Sequence, residues 1–345
     1  MPEPETWGDS KYGELCRVRA VAPSQSQKCL TATQPGSCLT SSAASCNELA
    51  EGLVHSCATR QLDQLYSLLD QAQNTDPTTI PTPQYLLQEA AKNGQAEVVR
   101  CLFDSLPECR HLKPWTPRLP EGVSWNSVPR KWRIYEDGVI IDAIEEKDPI
   151  KVFEVFFDYG MSANYNLDRA ISPLARAIGR KIDFAHFLLR KGADPNGRYI
   201  FEKDTFLGAA AIQPTPNMLN LLVQFGARLQ GSQALRQAAQ YRRICNARRL
   251  LELGADVNEV FTRPDYDRPY VERDAIWGCA LHFAIKGGEL NVPVQDSPAE
   301  MVQFLLDHGA QTDILDGAGK TPLQVAQVTR QRDVIQVFRK HSIEN

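Results

Sequence analysis

Five glycines set the terms on which this chain can fold. Each closes an apolar run of helical period: Asp158-Tyr159-Gly160, Arg190-Lys191-Gly192, Gln224-Phe225-Gly226, Glu252-Leu253-Gly254 and Asp307-His308-Gly309. A glycine there enters the left-handed region and lets the last helical carbonyls be satisfied, without the Cβ clash that other residues suffer. The glycines are 32, 34, 28 and 55 residues apart, a period of about 33 with one short unit and one lengthened by insertions. A second landmark follows each glycine in turn: Ser172-Pro173-Leu174, Thr205-Phe206-Leu207, Gln233-Ala234-Leu235, Cys279-Ala280-Leu281 and Thr321-Pro322-Leu323. In the first and last of these, a hydroxyl N-cap precedes a proline at the first helical position, where its missing N–H costs nothing. A chain patterned this way predicts an all-α solenoid of helix-turn-helix units, in which each hairpin exposes apolar faces and only stacked neighbours bury them.

The run Gly309-Ala310-Gln311-Thr312-Asp313-Ile314-Leu315-Asp316-Gly317-Ala318-Gly319-Lys320-Thr321-Pro322-Leu323 resembles the junction of the ankyrin repeat family. Gly192-Ala193-Asp194-Pro195-Asn196 and Gly254-Ala255-Asp256-Val257-Asn258 resemble the family's helix-end signature, and Ala280-Leu281-His282-Phe283-Ala284 its first-helix signature. The resemblance is strong from about Ile140 to His341 and implies about six to eight divergent repeats with hairpin fingers. It also implies a scaffold that binds a protein partner through its concave face and fingers. The last helix, Asp333 to Lys340, is expected to turn Val334, Ile335, Val337 and Phe338 inward and to act as a polar cap.

The rest of the chain divides by composition. Residues 1–44, rich in Ser, Thr, Pro and Gln, carry no apolar period to offset the entropy of ordering and are expected to form a disordered, cysteine-bearing tail. Residues 45–106 hold helical pairs, Asn47 to Cys57 with Leu62 to Leu69 and Tyr85 to Lys92 with Ala96 to Phe103, expected to be degraded repeats or an N-terminal cap. Residues 107–135 hold Trp115, Trp125 and Trp132 among five prolines, too proline-rich for helix and too aromatic for a free linker, and are expected to form a strap over the repeats or a linker between them. Residues 136–345 form the solenoid proper. The insertion Asn291 to Pro298 is expected to be a solvent loop.

The chain carries a formal charge of −4 and no apolar run long enough to span a membrane, which argues against nucleic acid and membrane insertion. With no leader pattern and an odd number of cysteines, nine, the expected setting is intracellular, cytoplasmic or nuclear. Five cysteines between Cys16 and Cys57 lack any C-x-x-C pair. A metal-binding or redox-sensing tail on a regulatory subunit is the competing reading.

No phosphate-cradling loop, nucleophile elbow or His-Glu-x-x-His pair occurs, so no catalytic residue, cofactor, metal or small-molecule substrate is expected. The residues expected to meet a partner are those that the scaffold leaves over. Phe261, Tyr266 and Tyr270 lie in a long finger insertion, Tyr199 and Phe201 in the preceding finger, and Leu315 and Lys320 in the last. Arg236, Arg242, Arg243, Arg248 and Arg249, with Arg180, Lys181, Lys286, Arg330 and Arg332, suggest a basic edge of the ordinary solvated kind.

Overall fold

The computed structural model describes residues 40–76, 78–106, 137–167, 172–198, 205–261, 278–288 and 296–344. Among these the regular structure is helical and falls into eight pairs: α1 (Thr40–Thr59) with α2 (Leu62–Ala72), α3 (Pro83–Lys92) with α4 (Ala96–Ser105), α5 (Gly138–Glu145) with α6 (Ile150–Asp158), α7 (Pro173–Ala177) with α8 (Ile182–Arg190), α9 (Phe206–Ala211) with α10 (Asn217–Gln224), α11 (Ala234–Gln240) with α12 (Ile244–Glu252), α13 (Ala280–Lys286) with α14 (Pro298–Asp307), and α15 (Pro322–Val328) with α16 (Arg332–Glu344). The chain forms two compact units. The first lies within residues 34–203 and carries the first four pairs; the second includes residues 204–345 and carries the last four.

All five period-setting glycines are left-handed, with φ between 85° at Gly309 and 93° at Gly254. Each closes its helix in the same way. Gly309 N–H reaches Leu306 carbonyl at 3.0 Å and Ala310 N–H reaches Leu305 carbonyl at 3.0 Å, and the Gly160, Gly192, Gly226 and Gly254 ends repeat both bonds. The residue after the glycine is buried at Met161, Ala193, Ala227 and Ala310, completing the apolar contact that accompanies such caps.

First helices start where the hydroxyl landmarks stand. Ser172, Thr205 and Thr321 accept the N–H groups of Ala175, Gly208 and Gln324 at 3.3, 2.9 and 3.3 Å. Gln324 returns the favour to the Thr321 N–H at 2.8 Å, closing a capping box. Thr82 caps Tyr85 in the same way ahead of Pro83. The second early hairpin therefore carries the same device as the late ones, in a stretch where sequence showed helix pairing alone.

Stacking is tied by polar side chains as well as by apolar burial. In four places a residue at the start of a second helix donates to a carbonyl at the end of the preceding hairpin's first helix. Gln95 reaches Ala58 at 3.1 Å, Arg243 reaches Ile212 at 2.9 Å, Gln331 reaches Ile285 at 2.8 Å, and Lys181 bonds Glu146. A helix C-terminus leaves its last carbonyls without intrahelical partners, so each neighbour completes the helix before it. Within the first unit the core is aromatic: Phe153 meets Phe184 edge-on at 4.8 Å, and Phe103 meets Phe156 at 6.2 Å.

Some boundaries differ from expectation. Helix α1 begins at Thr40, inside the stretch expected to be disordered; residues 1–39 lie outside the described part. Adding residues to a nucleated helix costs far less than starting one, so Thr40 to Ser45 extend it without an apolar stripe of their own. The Pro/Trp segment lies outside the described residues from 107 to 136. The end of the expected solvent loop is structured, because Ser297 caps α14 and Asp296 accepts the Ile244 N–H at 3.2 Å. Helix α16 buries Val334 and Phe338, leaves Ile335 and Val337 half-buried, and exposes Arg332, Asp333, Gln336, Arg339 and Lys340.

Candidate functional site

The fingers of the second unit are assembled by one asparagine. Asn258 donates its amide to the Gly309 carbonyl at 3.2 Å and accepts the Gln311 N–H at 2.8 Å, which joins the finger after α12 to the finger after α14. Asn164 does the same in the first unit, donating to Gly192 at 3.0 Å and accepting from Asp194 at 2.7 Å. An amide is suited to the task because one group both donates and accepts. Glu259 adds a further tie, accepting the Gly231 N–H at 3.1 Å; burial pushes its carboxyl above the usual range.

On this frame the expected contact residues separate. Phe261 is only 6% exposed: its N–H bonds the Gly278 carbonyl at 3.0 Å, and its ring meets Phe283 edge-on at 6.1 Å. Phe261 thus closes the base of the insertion from inside, which takes its ring off the surface. Its neighbour Val260 is 49% exposed, and Leu315 on the adjoining finger is 56% exposed. Lys320 presents its side chain to solvent while its backbone is held: its N–H bonds Asp316 at 3.0 Å and its carbonyl accepts from Asp316 N–H at 2.9 Å. Tyr199, Phe201, Tyr266 and Tyr270 lie outside the described residues.

Asp316 builds the last finger from within. Burial pushes its carboxyl up, but the Lys286 ammonium at 2.9 Å and the N–H groups of Lys320 and Ala318 hold it below the usual carboxylate range. His282 sits behind it, fully buried. The ring's Nδ1 accepts the Cys279 N–H at 3.2 Å, and Nε2 donates to the Lys320 carbonyl at 3.0 Å. Because a carbonyl only accepts, these two partners fix the neutral Nε2–H tautomer. Burial pushes this imidazole below its ordinary value, and Cys279, beside Nδ1 at 3.3 Å, has its thiol pushed up by the same cause. Neither group is placed to serve as an exposed nucleophile or base.

Many members of the expected basic edge are engaged by partners within the chain. Arg236 lies over the Phe283 ring at 5.0 Å and Arg248 over Phe304 at 5.0 Å. Arg249 bonds Asn220 at 2.7 Å and pairs with Glu252, Arg180 pairs with Glu145, and Lys286 pairs with Asp316. Arg243 is buried on a backbone carbonyl and Arg242 is half-buried, while Arg180, Arg248, Arg330 and Arg332 are exposed. Among the described residues no group of three or more His, Cys, Asp or Glu side chains is arranged to hold a metal ion, and no helix is long and apolar enough to cross a membrane. Of the crowded N-terminal cysteines, Cys57 is buried in α1 and Cys46 is half-buried, while Cys16, Cys29 and Cys38 lie outside the described residues.

Val260, Asn258 and Asn164 were missed as surface-building residues by sequence reasoning. The asparagines had a signal, since Asn258 ends the Gly-Ala-Asp-Val-Asn string and Asn164 stands four residues after Gly160, in the same place.

No family model matches the chain, and no curated protein matches it. Among solved structures it is similar to the ankyrin repeat protein EF0377, at 23% identity, with 60% of this chain and 98% of that one covered and a TM-score of 0.44. It is also similar to an ankyrin repeat domain from Acinetobacter baumannii AYE, at 22% identity, with 59% of this chain and 96% of that one covered and a TM-score of 0.45.

Proposed function

We propose that this chain is a non-enzymatic scaffold that binds a protein partner along the fingers of its second unit. The observation that carries the reading is the split between neighbours: Phe261 and Asp316 are buried to build the fingers, while Val260 and Leu315 beside them stay about half exposed. Adjoining fingers joined through Asn258 thus each present a branched apolar side chain that the fold does not use. Exposed apolar groups rimmed by polar ones are a common mark of interaction sites. Lys320 supplies a charged rim, and Tyr266 and Tyr270 of the insertion complete the proposed contact set, with Phe261 closing the base of that insertion from inside. The paired-helix architecture favours this use, because stacked hairpins offer an extended open face rather than an enclosed pocket.

The test is affinity purification from the native cell with the intact chain and with Val260→Asp/Leu315→Asp. Both positions are solvent-facing, so helicity by circular dichroism should be unchanged. A stoichiometric protein recovered by the intact chain and lost by the double variant supports the reading. Equal recovery by both would move the contact surface away from these fingers.

A further inference from the structure

We propose that His282 is an acid-sensitive pin that holds two successive fingers of the second unit, and that both are released together when its ring takes a second proton. Its use as a control on binding rests on the finger reading above; the pin itself does not. The ring lies directly against Gly278, where a Cβ would stand 2.7 Å from it. The Gly278 carbonyl accepts the N–H of Phe261, so the ring backs the bridge that closes the first finger. On its other side Nε2–H holds the Lys320 carbonyl, which also accepts from Asp316 N–H and closes the second finger. Val260 and Leu315 are each one residue from a group held in this way.

A second proton on Nδ1 turns an acceptor into a donor facing the Cys279 N–H. The Cys279 N–H then loses its acceptor, Nε2–H still donates to Lys320, and a full charge appears at a site without solvent. The titratable groups around the ring do not compensate: burial pushes the Cys279 thiol up, so it stands beside Nδ1 at 3.3 Å as a neutral group. Asp316 attracts the proton but is already paired with Lys286, which opposes it. Of the helices packed on α13, α11 contributes Arg236, set over Phe283; α14 contributes Glu300, which closes its own N-cap, with Asp307 and His308; α15 has no titratable side chain. Burial therefore decides, and the closed form binds fewer protons than the open form. The contribution of the neutral ring is fully present above the open-state value of about 6.5 and is lost as pH falls below it. One proton of difference makes the opening constant rise about tenfold per pH unit in that window.

The test uses the full chain without a partner. Amide hydrogen exchange, corrected for intrinsic rate, is followed by mass spectrometry between about pH 7.5 and 5 in peptides covering Val260-Phe261 and Leu315 to Lys320, in wild type and in His282→Gln. Glutamine keeps an N–H for Lys320 and does not titrate. The expected result is joint opening of both peptides below about pH 6.5 in wild type and no pH response in the variant. Openings at different pH values, or an unchanged response in His282→Gln, would overturn the proposal. Should the variant fold poorly, the wild-type ring is titrated by NMR; its midpoint must coincide with finger opening, and a mismatch sinks the pin. A working pin with no loss of partner in Val260→Asp/Leu315→Asp would leave this inference standing and remove the binding reading.

Discussion

The hairpin from Gly309 to Glu344 and the hairpins from Phe206 to Glu252 reach the same architecture by different means. The first is held by local devices: a glycine cap, a proline at the first helical position and a Thr321/Gln324 box, all within a few residues of the groups they satisfy. The second keeps the Thr205 cap and the glycine turns but has no proline at the first helical position and no capping box. Gln233, in the landmark position, is itself left-handed at φ 60° and makes no side-chain cap, and Ser232 one residue earlier takes the Ala234 N–H instead. The deficit is met from a distance. Asn246, fully buried, donates to the carbonyls of Ala211 and Gln213 at 2.8 and 2.7 Å, and Arg243 bonds Ile212 between them. Where the local signature is reduced, the next hairpin adds hydrogen bonds from a distance, to the carbonyls at the end of α9.

The comparison can be broken at four places. Gly278→Ala should cost most, about 4 kcal/mol, because φ of 141° is a glycine region and the new methyl would enter the His282 ring. A urea midpoint indistinguishable from wild type would show that the finger base can shift freely. Asn246→Ala strips one buried and one half-buried carbonyl of their partner and should cost about 3 kcal/mol. Thr321→Ala removes an exposed local cap and should cost about 1 kcal/mol. If the denaturation series ranks Thr321 above Asn246, distant ties are not what holds the divergent hairpins. Arg330→Gly should act in the opposite direction. Arg330 is left-handed at φ 57°, where Gly94 and Gly179 stand in other turns, so glycine should raise stability by ~0.5 kcal/mol.

These contrasts explain what could be seen in sequence. The five glycines, Ser172-Pro173 and Thr321-Pro322 act within one turn of helix, and such patterns survive in a linear string. Thr82-Pro83 belongs with them and was legible in principle, but no Gly-Ala-Asp string accompanies it to mark the repeat. Asn246 and Arg243 act on carbonyls 31 to 35 residues away, and nothing in their immediate neighbours announces it. The surface follows the same division. Leu315 and Lys320 were expected to face solvent because the repeat signature places them on a finger. In sequence Phe261 groups with them, because an aromatic in an insertion looks the same whether it faces a partner or closes the loop. Only the bridge to Gly278 and the contact with Phe283 distinguish the two.

Binding at the fingers of the second unit is tested most directly by photo-crosslinking in extract of the native cell. A benzophenone side chain is placed in one protein at Leu315 and in another at Tyr66, which is 51% exposed on α2 of the first unit and so matches Leu315 at 56%. The account predicts a single protein adduct of defined mass from position 315 and none from position 66. Adducts in equal yield from both positions, or from position 66 alone, would contradict it.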